Sequence, residues 1–424
     1  MLENIVDTFS DKVFLFLTGE IRGGLLIKRH SESLNIHGDF SFPNTVKSWH
    51  GYIDSSEIKE NDDNFMKCIG KTTEELVCQS QNWVLQVNRV KEHKDRIHLY
   101  LDRTKSIRVG LIEALIINTT VQNKLNETLD SVRCDPLCND NNLTNLRLSH
   151  LSRTIQNICN FYVYNLIFFM LCYQINLFSF FNIKKNRGGN LFSVMVNIHV
   201  SRLRQDEMTL IAQHKYGVRV STDCKWKEFI ANLGESAAIF ELLQTKPSSA
   251  VKINFDCSSA GSSKGAAFIL YNCARLETIV RTFNEKVEDG TYPPLPNFEL
   301  MDFNLFTQED EWSLIFNYVM GFSSMINNCM DVGETTCEFR PHQICSFLCS
   351  MVRVFSQYYR RVRILTEPRK HLLPVLFARI QMLKVLNETL KMCLKILNIK
   401  ILLHSSKLLN TSKGAIEVNW IFFV

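Results

Sequence analysis

The spacing of apolar residues divides the chain into a mixed first part and a helical last third. Residues 13–17 (VFLFL) and 83–87 (WVLQV) are short apolar runs that predict strands. Residues 108–126 have the three- and four-residue apolar spacing of an amphipathic helix. We therefore predict a small α+β domain over residues 1–150.

The second half of the chain changes from a mixed to a helical pattern. Residues 192–200 (FSVMVNIHV) alternate like a strand, and the helical run over 226–243 is stopped by Pro247. They predict a connecting α/β segment over residues 190–255. Beyond Gly265, helical spacing continues with one turn-rich break at 288–294. We predict a mainly α protein, whose C-terminal helical bundle covers residues 256–403 and is followed by a tail over 404–424.

An apolar stretch lies between these two parts. Residues 154–183 contain no charged residue, and 161–181 is long enough to span a bilayer. Lys184 and Lys185 follow as a cytoplasmic flank would, but polar side chains interrupt the stretch and would need partners in hydrocarbon. A buried or inserted segment, a membrane span and an exon-boundary artefact remain open. We favour an apolar insertion or linker over 151–189 and expect no membrane partner.

Composition limits the classes of function. The 424 residues contain 46% hydrophobic side chains, as in globular proteins, and only 17 glycines, with no glycine-rich phosphate-binding motif of a Rossmann or P-loop protein. The net charge is +5, but its distribution is uneven. Residues 281–340 hold 3 bases and 11 acids, whereas 351–400 hold 11 bases and 2 acids, giving −8 and +9. The basic segment could attract phosphates, or could be a set of solvated helix faces.

The 14 cysteines indicate neither a disulfide framework nor a metal site. The close pairs Cys134/Cys138 and Cys345/Cys349 have a spacing of four, which on a helix places two small apolar thiols on one face and favours core packing. The acidic first residues do not resemble a signal peptide. We expect a reducing, cytoplasmic location, and no metal or cofactor.

A helical wheel over residues 351–365 separates a core face from a basic face. Arg353, Tyr359, Arg360 and Arg363 fall within one 120° sector, opposite the apolar residues. An aromatic plane among guanidinium groups can stack an unpaired base and neutralise phosphates, as in the binding of single-stranded RNA loops. Arg361 lies off this sector, and we interpret it as a solvated charge.

Four segments resemble, in order, the anticodon-binding domain of arginyl-tRNA synthetases: 266–276 (AAFILYNCARL), 311–316 (EWSLIF), 341–348 (PHQICSFL) and 355–363 (FSQYYRRVR). The chain resembles the DALR anticodon-binding domain-containing protein 3 family more closely. That resemblance rests on the segments 270–276 (LYNCARL), 362–372 (VRILTEPRKHL) and 377–379 (FAR), and on Tyr292 with Pro293.

The catalytic motifs of the synthetases do not accompany this resemblance. Only residues 36–39 (IHGD) approach the His-x-Gly-His motif, no Lys-Met-Ser-Lys-like loop occurs, and Ile239 stands at the arginine position of the tetrad that names the domain. The resemblance therefore implies a protein that is not an enzyme. A divergent arginyl-tRNA synthetase, which would aminoacylate tRNA with ATP, remains the alternative.

The family resemblance also implies partners and site residues. It implies binding of arginine tRNA through the anticodon arm and presentation of that tRNA to a methyltransferase that forms 3-methylcytidine in the anticodon loop. Tyr359 and Arg363 are the first candidates for loop binding. Tyr271 and Arg275 come next, although they could instead hold the bundle together, and Arg379 and His371 follow. An acidic face over residues 285–311 is a candidate surface for the enzyme partner.

Overall fold

The fold, given by a computed structural model, is described here for residues 2, 4–20, 26–52, 64–126, 143–161, 206, 209, 224–251, 263–332 and 337–401. It begins with helix α1 (Ile5–Thr18), whose first turn is capped by the Asn4 side chain. Val6, Phe9 and Val13 are buried at helical spacing. The strand predicted at residues 13–17 is therefore wrong, because this run is the last part of an amphipathic helix that buries one face.

A small antiparallel sheet follows, and short helices connect its strands. The elements are β1 (Lys28–Arg29), α2 (Leu34–His37), β2 (Phe40–Pro43), α3 (Val46–Trp49), α4 (Phe65–Cys68), α5 (Thr73–Ser80), β3 (Val87–His93) and β4 (Arg96–Leu101). The strand order is β1-β2-β4-β3. The strand predicted at 83–87 is wrong except for its last residue, because the amide of Trp83 closes a turn on the carbonyl of Ser80 and pairing starts only at Val87.

Helices and one short two-stranded sheet form the rest of the described chain. The elements are α6 (Arg103–Asn126), α7 (Leu143–Cys159), α8 (Cys224–Leu243), α9 (Ser263–Glu288), α10 (Glu309–Ser313), α11 (Phe322–Asn328), β5 (Met330–Val332), β6 (Cys337–Phe339), α12 (His342–Arg361) and α13 (Leu373–Ile396). Two 3-10 turns, Phe298–Leu300 and Phe303–Leu305, precede α10, and a π-helical segment, Leu314–Val319, follows it. The predicted helices at 108–126 and 226–243 are confirmed.

Helix α13 lies at the centre of the C-terminal bundle. It packs against α6, α9 and the π-helical segment, and its buried residues are distributed around most of its circumference. Such a helix is stable only when neighbours cover it on several sides. The predicted fold class, mainly α with a C-terminal helical bundle after a smaller α+β region, is confirmed.

Some sequence predictions lie outside the described residues. These are the strand at 192–200, the Cys134/Cys138 pair, nearly all of the apolar stretch from 154 to 183 and the tail over 404–424. Of the second cysteine pair, Cys345 is buried and Cys349 is half-buried on α12. In the parts of the chain listed above, none of the helices is both long enough and apolar enough to cross a bilayer.

A buried hydrogen bond joins the sheet to the bundle. The carboxylate of Asp39 is 1% exposed and accepts from the Trp312 indole Nε1 at 2.7 Å and from the Leu101 amide at 2.8 Å. Burial raises the pKa of Asp39 to about 6. The adjacent Gly38 has a φ of +69°, and a Cβ there would lie 2.6 Å from the carbonyl oxygen of Leu99. Gly38 and Asp39, the last two residues of the segment 36–39 that approaches a nucleotide-binding motif in sequence, thus form part of this junction.

A buried arginine makes a second contact across the junction. Arg29 donates to the backbone carbonyl of Phe316, and its Cζ lies 4.6 Å from the centre of the Phe316 ring. Burial lowers the pKa of Arg29 to about 10, while Asp7 and Asp39 oppose this shift. The sheet therefore has a fixed position on the π-helical segment.

Replacing Trp312 by phenylalanine should destabilise the chain in a pH-dependent way. The raised pKa of Asp39 adds stability that is fully present below about pH 4 and is lost as the pH rises through about 6. Loss of the indole donor leaves the ionised carboxylate with one partner fewer. We expect Trp312→Phe to lower the free energy of unfolding in urea by about 1–3 kcal/mol near neutral pH, and by less near pH 5. An equal loss at both pH values would show that packing alone is responsible.

Candidate nucleic-acid interface

An exposed tyrosine lies near the end of helix α12. Tyr359 is 39% exposed, although its neighbour Tyr358 is fully buried. The ring of Phe355, one turn earlier, lies 6.1 Å from the Tyr359 ring and supports it from the core side. The sequence prediction that Tyr359 is on a surface is thus confirmed, and its ring is large enough to stack a base.

One guanidinium contacts two tyrosine rings at this surface. The Cζ of Arg275 lies 4.3 Å from the ring centre of Tyr271 and 4.4 Å from that of Tyr359. Arg275 also donates to the hydroxyl of Tyr271. Tyr271 and Arg275 belong to α9 and Tyr359 to α12, so the contact both joins two helices and forms part of the exposed surface.

The charge around this contact is positive. Burial lowers the pKa of Arg275, and the nearby guanidinium of Arg360 lowers it further, whereas Tyr359 opposes the shift. Arginine remains protonated despite such changes. We refer to Tyr271, Arg275, Tyr359 and Arg360 as the Tyr359 cluster.

Arg363 follows the end of α12 and is not on the helix. Helix α12 ends at Arg361, and Val362 adopts extended backbone with φ −117° and ψ 121°. Arg363 is exposed between Val362, which is half-buried, and Ile364, which is buried. The predicted helical face through Leu365 is therefore wrong, because an extended segment that buries alternate residues takes over.

Two other predicted residues lie apart from the cluster. Arg353 is exposed and lines a groove of about 740 Å³ between α12 and the segment that follows β1. His371 is exposed in the loop before α13. Arg361, interpreted from the sequence as a solvated charge, forms an ion pair with Asp310.

Arg379 forms an ion pair with a buried carboxylate. Its Nε donates to Glu311 Oε1 at 2.8 Å, and the Tyr358 hydroxyl donates to the same oxygen at 2.9 Å. Glu311 is fully buried and the Arg379 side chain is only 12% exposed. Burial, followed by the charge of Glu311, raises the pKa of Tyr358 well above its ordinary value. The structure therefore places Arg379 inside the bundle, away from the exposed cluster.

A second buried tyrosine fixes the loop that carries Arg363. The hydroxyl of Tyr292 donates to the carbonyl of Thr366, and its ring stacks on Phe283 with centres 5.7 Å apart. Sequence reasoning noted Tyr292 only as part of a family pattern. Its place within the turn-rich segment 288–294 is the available signal, because a buried tyrosine hydroxyl usually needs a partner.

Comparison with known protein families confirms the resemblance read from the sequence. Residues 269–404 match the family model described as the DALR anticodon binding domain. This range contains the Tyr359 cluster, Arg363 and the buried pair Arg379–Glu311. It also contains α10 to α13 and nearly all of α9.

Curated relatives share this part of the chain. Proteins named DALR anticodon-binding domain-containing protein 3 are 34% identical over 206 residues in Danio rerio and 33% identical over 206 residues in Rattus norvegicus. These matches cover 47% and 48% of this chain but only 37% and 38% of the relatives. An arginine--tRNA ligase of Borreliella burgdorferi is 25% identical over 177 residues, which is 42% of this chain and 27% of the ligase.

Solved structures of arginyl-tRNA synthetases overlap about half of the chain. The enzyme of Thermus thermophilus matches with a TM-score of 0.35 and 16% identity, over 49% of this chain and 32% of its own. The enzyme of Plasmodium falciparum matches with a TM-score of 0.37 and 15% identity, over 49% and 33%.

Replacing Arg379 by methionine should strongly destabilise the bundle. The change leaves the Glu311 carboxylate buried without a cationic partner, which typically costs about 3–5 kcal/mol. The double variant Arg379→Met with Glu311→Gln should recover part of this loss, and urea unfolding of the two single variants and the double variant measures the coupling. A single variant within about 0.5 kcal/mol of wild type would contradict the buried ion pair.

Proposed function

We propose that this chain binds the anticodon arm of a tRNA through the Tyr359 cluster and performs no chemistry on it. The proposal proceeds from the match of residues 269–404 to the anticodon binding domain. The observation that carries it is the exposed Tyr359 ring, which is held at 4.4 Å from the Arg275 guanidinium. An unpaired base can stack on the free part of the ring while nearby arginines neutralise phosphates.

The arrangement of charges supports an anionic ligand at this place. Neither Arg360 nor Arg363 forms an ion pair within the described ranges, and both are exposed. The guanidinium of Arg275 is already oriented by two rings, so little side-chain entropy is lost when it contacts RNA. Arg353, which is exposed two turns before Arg360 on α12, and His371, which is exposed in the loop before α13, are candidates for peripheral phosphate contacts.

We further propose that the RNA is an arginine tRNA in the cytoplasm. Two kinds of relatives support this choice, because the ligases named above act on arginine and the curated proteins carry the name of the same domain. Presentation of the tRNA to a methyltransferase that forms 3-methylcytidine rests on the family resemblance alone.

In the acidic segment 285–311, fewer carboxylates are free to contact such an enzyme than the sequence predicts. Glu309 is held by Arg103 through two hydrogen bonds of 2.7 and 2.8 Å, and Glu311 is buried. Glu285, Glu288 and Asp289 remain exposed near the end of α9. We propose this end of α9, in place of the whole range 285–311, as the acidic contact with the partner.

Removing the Tyr359 ring should weaken RNA binding without unfolding the chain. We expect Tyr359→Ala to lose about 1–3 kcal/mol of binding free energy for the anticodon stem-loop of arginine tRNA. Fluorescence anisotropy with a labelled stem-loop measures the loss. Tyr359→Phe keeps the stacking surface and should bind nearly as wild type does. Normal binding by the alanine variant would refute the stacking role.

An aminoacylation assay separates this proposal from the alternative of a divergent arginyl-tRNA synthetase, which the similarity to arginine--tRNA ligase favours. The assay contains the purified chain, ATP, arginine and arginine tRNA. We expect no arginyl-tRNA above the level without protein, because residues 36–39 lack the second histidine of the His-x-Gly-His motif and Asp39, which stands in its place, is buried against Trp312. ATP-dependent charging would establish the alternative.

A further inference from the structure

The outward face of the small sheet is a second basic surface. The strand register places Ser41 and Lys91 opposite His98 on β4, and Lys28 opposite Ser41. Arg89 pairs with Tyr100 and His93 with Arg96 in the same way. Since alternate residues of a strand share a face, these basic side chains occupy the face opposite the core residues.

Contacts between the side chains confirm this placement. The Arg89 Cζ lies 4.1 Å from the ring centre of Tyr100, and the rings of His93 and His98 are 6.4 Å apart. His30, which follows β1, and His37, at the end of α2, lie 6.0 and 6.2 Å from the His98 ring. Four histidines and the cations Lys28, Arg89, Lys91 and Arg96 thus lie on one side of the sheet, which we name the basic sheet face. His98 is buried at its centre, whereas Lys28, Arg89 and Lys91 are exposed.

Within the described strands no carboxylate shares this face, and Glu32 lines the groove beside His30. The register leaves the face without Asp or Glu, because Glu92 pairs with the core residue Ile97 and holds the Asn44 side chain at 2.7 Å. Lys28, Arg89 and Lys91 are exposed and, within the described ranges, form no ion pair. By contrast, Arg361 and Arg379 of the C-terminal bundle are neutralised by carboxylates.

Two histidines of the face are less easily protonated than a free imidazole, first because they are partly desolvated and then because cations lie nearby. Burial lowers the pKa of His30 to about 4, and the further contributions from Lys28, His98, His37 and Arg96 all act in the same direction. Burial also lowers the pKa of His98, with Arg96 among its further causes. Such uncompensated like charge is unfavourable in the free protein and is relieved when an anion binds.

One residue of the basic sheet face, His30, lies at a groove next to the C-terminal helices. His30 and Arg353 line this groove of about 740 Å³, together with the acidic residues Glu32, Glu309 and Asp310. Arg353 belongs to the helix that carries Tyr359. A ligand long enough to cross the groove could therefore touch both the sheet and α12.

The chemistry of the face favours a phosphate backbone over unpaired bases. Tyr100 is the aromatic residue that the register places there, and it is only 6% exposed because Arg89 covers it and its hydroxyl donates to the carbonyl of Ile36. A surface that binds single strands instead exposes aromatic rings. Protruding Lys and Arg side chains suit the evenly spaced phosphates of a duplex.

We propose that the basic sheet face binds the phosphate backbone of a double-stranded stem, in the same tRNA whose anticodon loop contacts the Tyr359 cluster. The identity of the RNA rests on the function proposed above. The face would add affinity and orientation without reading sequence, because phosphate contacts carry no base information.

Neutralising two lysines of the face tests the inference. In the full chain, Lys28→Gln with Lys91→Gln should weaken binding of complete arginine tRNA by about 10- to 100-fold at roughly 0.1 M salt, and should reduce the slope of log affinity against log salt by about 2. Binding of the isolated anticodon stem-loop should not change. The matched control, Lys47→Gln with Lys67→Gln, alters two exposed lysines on α3 and α4. These two helices cover the core side of the sheet, where Trp49 stacks on Phe65.

The outcomes separate this inference from the proposed function. Equal loss of tRNA binding in the sheet and control variants would overturn the inference, because removing any two positive charges would then have the same effect. Normal tRNA binding by the sheet variant, together with weakened binding by Tyr359→Ala, would overturn the inference alone. If wild type bound neither tRNA nor stem-loop, both proposals would fail. Binding of phosphatidylserine vesicles that the sheet variant loses, while it retains tRNA, would assign the face to a membrane surface instead.

Discussion

The position of the exposed tyrosine depends on the buried carboxylate of Glu311. An ionised group inside a protein costs several kcal/mol unless its oxygens are all satisfied. Here Oε1 accepts from Tyr358 and Arg379, and Oε2 accepts from the amide of Gln308 at 3.0 Å. Because Tyr358 belongs to α12 and Arg379 to α13, the rotation of α12 is fixed with Tyr358 pointing inward. Tyr359, which lies 100° farther around the helix, must then face outward.

The same interaction explains why the strong charge polarity of the sequence is weaker on the surface. Two ion pairs join the acidic segment to the basic one, Glu311 with Arg379 and Asp310 with Arg361. They cancel part of the net charge of each segment. Arg360 and Arg363 are exposed and have no such pairing in the described ranges, so they leave positive charge near the end of α12, which carries Tyr359. A net charge counted along a chain therefore overstates a potential wherever opposite segments pack together.

Periodicity predicted the helices well because long amphipathic segments repeat their pattern many times, as α12 does. It failed over 13–17 and 362–365, where four or five residues are too few to distinguish helical from extended burial. The Tyr359 cluster was predicted only in part. Arg360 and Tyr359 share one helix, whereas the contact of Arg275 with both tyrosine rings depends on how α9 and α12 cross. That crossing is set by the packing of α13, which no local pattern encodes.

The two proposed RNA surfaces differ in what their chemistry can supply. A stacked ring with oriented guanidinium groups distinguishes an unpaired loop from a duplex, whereas protruding lysines respond only to charge density. Both can act on one molecule only if their separation is constant. The contacts of Asp39 with Trp312 and of Arg29 with Phe316 supply that constraint, because they attach the sheet to the residues that directly follow Glu311. Residues 311–316 thus orient Tyr359 through the contacts of Glu311, and they hold the basic sheet face through Trp312 and Phe316.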